Sequence, residues 1–219
     1  MLKSVQEIQQ DIQAGKNLFI AGDENLLKQL PQGNWVGGTI PYFMSQNGGV
    51  IDKTKVFATE TPAVTTETSI TWYSENDLPS VTKDSPENGF SFIIIPATSP
   101  AHISFAENAP NYEGNFMKNI LGWISGVHLD DLGSISPKVF NGKTGESSDQ
   151  KAIVMHCAIE EGRTASINII NLFKQGSGDL ITFEKTGFSV TDCLVNGERQ
   201  NFAEYLTSIK ADTRLPLVA

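Results

Sequence analysis

The stretch LFIAGDENLLKQLPQGNWVGGT, residues 18–39, has the pattern of a strand, a helix and a second strand. Its first four residues are apolar and fit a short buried strand. Asp23 follows as a helix N-cap, and the leucine stripe after it ends at Pro31. The second strand runs into the turn Gly37-Gly38-Thr39. This unit predicts an α/β or α+β fold, with a mixed sheet and helices packed on it.

Local signals predict further elements on both sides of this unit. Ser4-Val5-Gln6-Glu7 has the pattern of a capping box at the start of a helix. Ser99-Pro100 is typical of an N-cap followed by Pro at the first helical position. Further predictions include an apolar strand at 91–95, a strand at 165–173, hairpin turns at Asn141-Gly142 and Asn196-Gly197, and a last amphipathic helix from Phe202 to Ile209.

The domain organisation rests on composition. We expect a single globular unit over 1–219, or two halves at 1–75 and 89–219 joined by the Ser-, Asp- and Pro-rich loop 76–88. Two short segments share the pattern Trp, β-branched residue, small residue, Gly, namely Asn34-Trp35-Val36-Gly37-Gly38 and Gly122-Trp123-Ile124-Ser125-Gly126. This tryptophan echo is either coincidence or the trace of a duplicated strand–helix–strand–strands unit.

The net charge and the hydropathy of the chain limit the classes of partner that we expect it to bind. The chain has 25 acidic and 16 basic residues, a net charge of −9 and a pI near 4.8. An acidic chain without a basic stripe is a poor match for nucleic acid or an anionic membrane surface. Its start shows no secretory signal, and no apolar run approaches the roughly 20 residues that span a bilayer. We therefore expect a cytoplasmic protein that binds neither nucleic acid nor membrane.

Motifs for cofactors and metals are missing from the sequence. Gly142-Lys143-Thr144 resembles the end of a phosphate-binding loop, but Pro137 stands where that loop needs Gly. The histidines at 102, 128 and 156 have no ligand spacing, and Asp130-Asp131 fits a solvated loop or a cation site. Cys157 and Cys193 lie in apolar runs, so we expect them buried, reduced and unpaired. The sequence thus predicts no cofactor and no metal.

The candidate site follows from fold geometry. In open α/β sheets, ligands bind beyond the carboxyl ends of the strands, where glycines let a ligand approach the backbone. We expect a pocket where the Gly37 turn meets the start of the Ser99 helix, and we expect Gly38→Val to fill it without touching the core. The candidate ligand-binding residues are Asp23, Gly37, Gly38, Thr39, Thr98, Ser99 and His102.

A family resemblance adds a function. Leu18–Ala21, Leu26–Pro31 and Trp35–Thr39 together resemble the opening of FIST-type sensory domains, and Asn196-Gly197 with Phe202–Leu206 resembles a segment of that family's C-terminal part. The resemblance implies a module that binds small ligands, such as amino acids, in prokaryotic signal transduction.

Three functions remain open at this point. The first is a small-molecule-binding sensor whose ligand is an amino acid or another small anionic metabolite. The second is an enzyme acting on a small polar metabolite, with His102 or Cys157 in its site. The third is a dimerising interaction protein, because the chain stops in the apolar run Arg214–Ala219, which we expect to pack on the fold or pair within a homodimer.

Overall fold

Two consecutive segments, residues 2–60 and 65–159, contain the same order of strands and helices. The structure, a computed structural model, describes residues 1–46, 48–170, 174, 176–185, 187 and 189–213. The first segment consists of β1 (Leu2–Lys3), α1 (Val5–Gln13), β2 (Leu18–Gly22), α2 (Glu24–Leu27), β3 (Trp35–Thr39), β4 (Tyr42–Ser45), β5 (Gly48–Ile51) and β6 (Val56–Glu60). The second consists of β7 (Thr65–Tyr73), α3 (Val81–Asp84), β8 (Gly89–Pro96), α4 (Pro100–Asn108), β9 (Ile120–Ser125), β10 (Val139–Asn141), β11 (Glu146–Ser148) and β12 (Ala152–Ile159).

Strand pairing repeats as well. In the first segment β2 and β3 are parallel, β6 lies antiparallel beside β2, and β1 pairs with β6. In the second segment β8 and β9 are parallel, β12 lies antiparallel beside β8, and β7 pairs with β12. The orders β1-β6-β2-β3 and β7-β12-β8-β9 therefore correspond strand by strand. The predicted fold class, α/β or α+β with a mixed sheet, is confirmed as α+β, and the matching strand orders favour a duplicated unit over coincidence.

The boundary between the repeats falls between Glu60 and Thr65, ahead of the loop predicted at 76–88. That predicted loop is wrong in part, because it contains a 3-10 turn at Leu78–Ser80 and helix α3. Leu78 and Val81 are fully buried there, so their apolar side chains tie the segment to the fold despite its polar composition.

The two sheets and their helices form four layers. The helices α1 and α2 cover the outer face of the first sheet, and α3 and α4 cover the outer face of the second. A third apolar layer lies between the sheets, built from alternate residues of strands in both. Its buried members are Phe19, Val36, Val139, Ile94, Ile153, Met155 and Cys157.

The first helix shows how local sequence produces an element. Ser4 Oγ accepts a hydrogen bond from the Glu7 backbone N–H, and Glu7 Oε2 accepts one from the Ser4 N–H at 2.8 Å, which forms the predicted capping box. Val5, Ile8 and Ile12 follow at helical spacing and face the core.

A second compact unit spans Asn168–Ala219, and the first spans Met1–Ile167, a boundary that the sequence did not indicate. The second unit contains the antiparallel strands β13 (Ile181–Thr182), β14 (Asp192–Val195) and β15 (Glu198–Asn201), and helix α5 (Phe202–Ser208). Asn196 and Gly197, with φ of 52° and 89°, make the predicted turn between β14 and β15.

Two sequence predictions concern residues near the two ends of the second unit. The predicted strand at 165–173 is wrong for 165–170, its described part up to the gap at 171, where no strand forms. Ile169 is 93 % exposed, so its β-branched side chain does not pack against a sheet. The predicted packing of the tail Arg214–Ala219 lies outside the described residues.

Candidate functional site

A polar cleft of about 270 Å³ opens at the carboxyl ends of β2, β3 and β9, all within the first unit. Loops that follow strands from both sheets meet here, as the geometry of parallel strands requires. The cleft is lined by Asp23, Glu24, Asn25, Lys28, Thr39, Ile40, Pro41, Gly126, Val127, His128, Asp131 and Ile135.

The start of α2 forms one wall. Asp23 is the N-cap, and its Oδ1 accepts a hydrogen bond of 2.9 Å from the Asn25 backbone N–H. Glu24 Oε1 lies 2.6 Å from Lys28 Nζ and 2.7 Å from Lys138 Nζ. Burial works to raise the pKa of Glu24, but hydrogen bonds from Lys138 and Lys28 outweigh it and hold the pKa below its usual value. Glu24 therefore remains an anion between two cations at neutral pH.

Thr39 joins the two sheets at the floor of the cleft. Its Oγ1 accepts a 2.9 Å hydrogen bond from the Lys138 backbone N–H, and its carbonyl oxygen accepts one of 2.7 Å from the Gly126 N–H. These bonds tie β3 to β10 on one side and to the end of β9 on the other. The hydroxyl hydrogen of Thr39 has no acceptor among the described residues, so it is available to a ligand.

His128 and Asp131 form the opposite wall. The His128 ring stacks on Tyr42, with centroids 5.6 Å apart and planes at 18°. His128 Nδ1 accepts a 3.2 Å hydrogen bond from the Asp130 backbone N–H, so the neutral ring carries its hydrogen on Nε2. Lys53 Nζ lies 2.8 Å from Asp131 Oδ2, and this hydrogen bond lowers the pKa of Asp131. The wall thus presents an imidazole and a carboxylate.

Of the residues predicted from sequence, Asp23 and Thr39 line the cleft. Gly37 and Gly38 lie just before it, inside β3, where neighbouring groups fill the space that a side chain would need. A Cβ on Gly37 would lie 2.9 Å from the Ile20 carbonyl oxygen. A Cβ on Gly38 would lie 2.8 Å from atoms of both Ile94 and Trp123, in the layer between the sheets. The expectation that Gly38→Val would spare the core is therefore wrong.

Thr98, Ser99 and His102 form the start of α4 and are not part of the cleft lining. Ser99 Oγ accepts a 3.1 Å hydrogen bond from the His102 backbone N–H and donates one of 2.7 Å to the Pro96 carbonyl. Thr98 has a φ of 61°, and its N–H donates to His102 Nδ1 at 3.0 Å. Burial lowers the pKa of His102. These contacts shape the helix start, and a ligand-binding role for the three residues stays a prediction.

The two cysteines are buried and unpaired, as expected. Cys157 faces the layer between the sheets, and burial raises its pKa to about 12. Its thiol is therefore protonated at neutral pH, which is the opposite of what a nucleophilic cysteine requires.

Comparison with protein families supplies one match. The model of a family of unknown function, DUF6976, matches residues 3–219. The chain belongs to DUF6976. No curated protein and no solved structure matches this DUF6976 chain. Among its described residues, no helix has the length and apolar character needed to cross a membrane, and no group of three or more His, Cys, Asp or Glu side chains is placed to hold a metal ion.

Sequence reasoning missed most of the polar residues in the DUF6976 cleft, since only Asp23 and Thr39 of the seven were predicted. Lys28 was not singled out, His128 had no ligand spacing around it, and Asp131 was weighed only as part of the pair Asp130-Asp131. The three lie on elements that meet through the Thr39–Gly126 and Thr39–Lys138 hydrogen bonds. No local sequence pattern carries such long-range pairing, so no signal in the sequence could have found them.

The DUF6976 chain also contains a buried polar chain under α3, separate from the cleft. Tyr73 Oη donates to Asp84 Oδ2 at 2.8 Å, so His156 Nε2 donates to Tyr73 Oη, also at 2.8 Å. With its hydrogen on Nε2, neutral His156 accepts at Nδ1 from Ser91 Oγ at 2.8 Å, and Ser91 in turn contacts Ser85 Oγ at 2.7 Å. These bonds fix α3 on the outer face of the second sheet.

Proposed function

We propose that the polar cleft binds a small zwitterion, of which a free amino acid is the simplest example. The observation that carries this proposal is the presence of both charges around one cleft. Asp23 and Asp131 supply carboxylates, and Lys28 supplies an ammonium group. Charge-assisted hydrogen bonds from a ligand's ammonium group to the carboxylates, and from Lys28 to its carboxylate, would satisfy both ends.

The charges are held in place before any ligand arrives. Glu24 holds Lys28 at 2.6 Å, and Lys53 holds Asp131 at 2.8 Å. Tyr42 Oη accepts a 2.9 Å hydrogen bond from the Leu129 N–H, which positions the loop after His128. A preorganised site loses less side-chain entropy on binding, which favours affinity for a small ligand.

The state of the nucleophilic groups supports binding rather than nucleophilic catalysis. The Thr39 hydroxyl oxygen accepts a hydrogen bond from the Lys138 N–H, and the hydroxyl makes no hydrogen bond to a general base within the described part of the chain. Cys157 is a protonated thiol in the core. A nucleophile needs a base within hydrogen-bond reach, and the enzyme alternative therefore has less support.

The wider role that we propose is a cytoplasmic sensory module in prokaryotic signal transduction. Its support is the resemblance of residues 18–39 and of the segment after Asn196 to FIST-type domains. The net charge of −9 supports a small-molecule ligand over nucleic acid as the partner. A homodimer stays a second proposal, because the tail that suggested it, Arg214–Ala219, lies outside the described residues.

The test is calorimetric titration with the standard amino acids, with propionate and ethylamine as analogues of alanine that carry one charge each. We expect at least one amino acid to bind, and its singly charged analogues to bind at least tenfold more weakly. Asp23→Asn keeps the N-cap acceptor but removes the charge, and should weaken binding about tenfold, since 1.4 kcal/mol is a factor of ten.

Asp149→Asn is the matched control, because Asp149 is only half-buried and lies outside the cleft lining. It should bind as the unmodified protein does. The proposal fails if no amino acid binds, or if Asp23→Asn and Asp149→Asn have the same affinity as the unmodified protein.

A further inference from the structure

A second concavity, the aromatic cavity, has a volume of about 340 Å³ and lies at the open end of the space between the two sheets. Strands β2 and β6 of the first sheet, strands β8 and β9 of the second, and the hairpin β4–β5 contribute its walls. Its lining consists of Phe19, Ile20, Ala21, Ile40, Tyr42, Phe43, Met44, Phe57, Thr59, Phe92 and Trp123.

The chemistry of these walls differs from that of the polar cleft. Six of the eleven lining residues are aromatic, and none carries a formal charge. A charged ligand group would lose hydration here without gaining an oppositely charged partner, which is unfavourable. The walls therefore select for an uncharged ligand.

Two pairs of aromatic rings at the cavity stack with nearly parallel planes. Phe19 from the first sheet stacks on Phe92 from the second, with centroids 4.0 Å apart and planes at 15°. Phe43 of the hairpin lies parallel to Phe57 of β6, with centroids 5.9 Å apart and planes at 10°. These pairs hold aromatic walls in place around the cavity, and aromatic walls favour contact with another aromatic ring over a branched aliphatic group.

The cavity has a buried floor and an exposed rim. Phe19 is buried in the layer between the sheets, whereas Phe57, Phe92 and Trp123 are half-buried and Thr59 is exposed. The Thr59 hydroxyl is a polar group at this rim that could hydrogen-bond a ligand. Ligand sites in proteins are mostly apolar concavities of about 300–1,000 Å³ with few polar groups, and this cavity matches that description.

We infer that the aromatic cavity is a second binding site, distinct from the polar cleft, for a small uncharged molecule with a flat aromatic ring system. This inference goes beyond the proposed function, because the two sites select opposite chemistries. The polar cleft takes a charged molecule, and the aromatic cavity excludes one.

The test uses two fluorescent dyes with the same ring systems. N-phenyl-1-naphthylamine is uncharged, and 8-anilino-1-naphthalenesulfonate adds a sulfonate. We expect the uncharged dye to bind with one-to-one stoichiometry and a large rise in fluorescence, and the sulfonate to bind at least tenfold more weakly. Equal affinity for both dyes, or binding without a defined stoichiometry, would overturn the inference.

Two cavity variants and one control test whether the dye binds in the aromatic cavity. Thr59→Phe places a ring at the exposed rim and should weaken binding of the uncharged dye at least tenfold. Thr66→Phe makes the same change at an exposed position of β7 outside the cavity, and should bind the dye normally. Ala21→Leu narrows the cavity from a second wall and should also weaken binding. Unchanged affinity in both Thr59→Phe and Ala21→Leu would contradict the assignment.

The two sites are separated by cross-testing. Asp23→Asn should leave the dye affinity unchanged, and Thr59→Phe should leave amino acid binding unchanged. If no amino acid binds while the dye still responds to Thr59→Phe, the proposed function fails and this inference stands.

Discussion

Gly38 and Ser125 meet between the two sheets, near the carboxyl ends of the corresponding strands β3 and β9. A Cβ built on Gly38 would lie 3.0 Å from the Ser125 Cβ, and 2.8 Å from atoms of Ile94 and Trp123. The close approach of the two repeats at this point therefore depends on the missing side chain of Gly38.

We expect Gly38→Ala to lower the free energy of unfolding by about 1–3 kcal/mol, because an extra methyl in a packed core forces its neighbours to move. Urea denaturation followed by circular dichroism measures the change. Gly49→Ala is the control, since a Cβ there meets nothing within 4 Å. Equal stability of the two variants would show that the sheets adjust to a side chain at position 38.

The buried chain under α3 predicts a pH dependence of stability. Burial lowers the pKa of His156, and the charge of Asp84 opposes this only in part. The folded-state pKa is thus below the unfolded value near 6.5, so the unfolded chain binds more protons as the pH falls. The contribution of His156 to stability is fully present above about pH 6.5 and is lost as the pH falls towards the folded-state pKa.

Urea denaturation between pH 7.5 and 5.0 measures this effect, with His156→Gln as the variant that cannot titrate. We expect the unmodified protein to lose more stability over this range than His156→Gln, by about 1.4 kcal/mol for each unit by which the pKa is lowered. Parallel pH curves for the two proteins would show that His156 is not the titrating group.

The cysteines predict a kinetic result. Cys157 is fully buried with a raised pKa, and Cys193 is 2 % exposed. A bulky aromatic disulfide reagent should modify the native protein at least a hundredfold more slowly than the protein in urea. The reagent reacts with an accessible thiolate, and both thiols are buried in the native protein. Thr66→Cys, at an exposed position, should react at once and serves as the positive control. Rapid reaction of the unmodified native protein would contradict the burial of both thiols.

Signals that act within a few residues were predicted correctly. The capping box at Ser4 and Glu7 and the turn at Asn196-Gly197 are decided by local hydrogen bonds and by φ preferences. The cleft is different, because Lys28, His128 and Asp131 meet only after strands far apart in sequence have paired. Side-chain types and spacing contain no record of that pairing.

The tryptophan echo left duplication and coincidence open, and the structure shows that its residues do not correspond. Trp35 packs under the helices of the first sheet, whereas Trp123 packs in the layer between the sheets. Residues aligned by the echo thus point to opposite faces, and a shift of one residue is enough to cause this in a strand. The repeat is a repeat of topology, visible in strand pairing rather than in matching residues.

The layer between the sheets also has a consequence for synthesis of the chain on the ribosome. Phe19 and Val36 have left the ribosome long before Ile153 and Met155, which cover them, have been made. Synthesis proceeds at roughly 5–20 residues per second, so about 5–20 seconds pass between the addition of residue 60 and the addition of residue 159. Until Ile153 and Met155 have been made, part of that apolar face stays uncovered in the nascent chain.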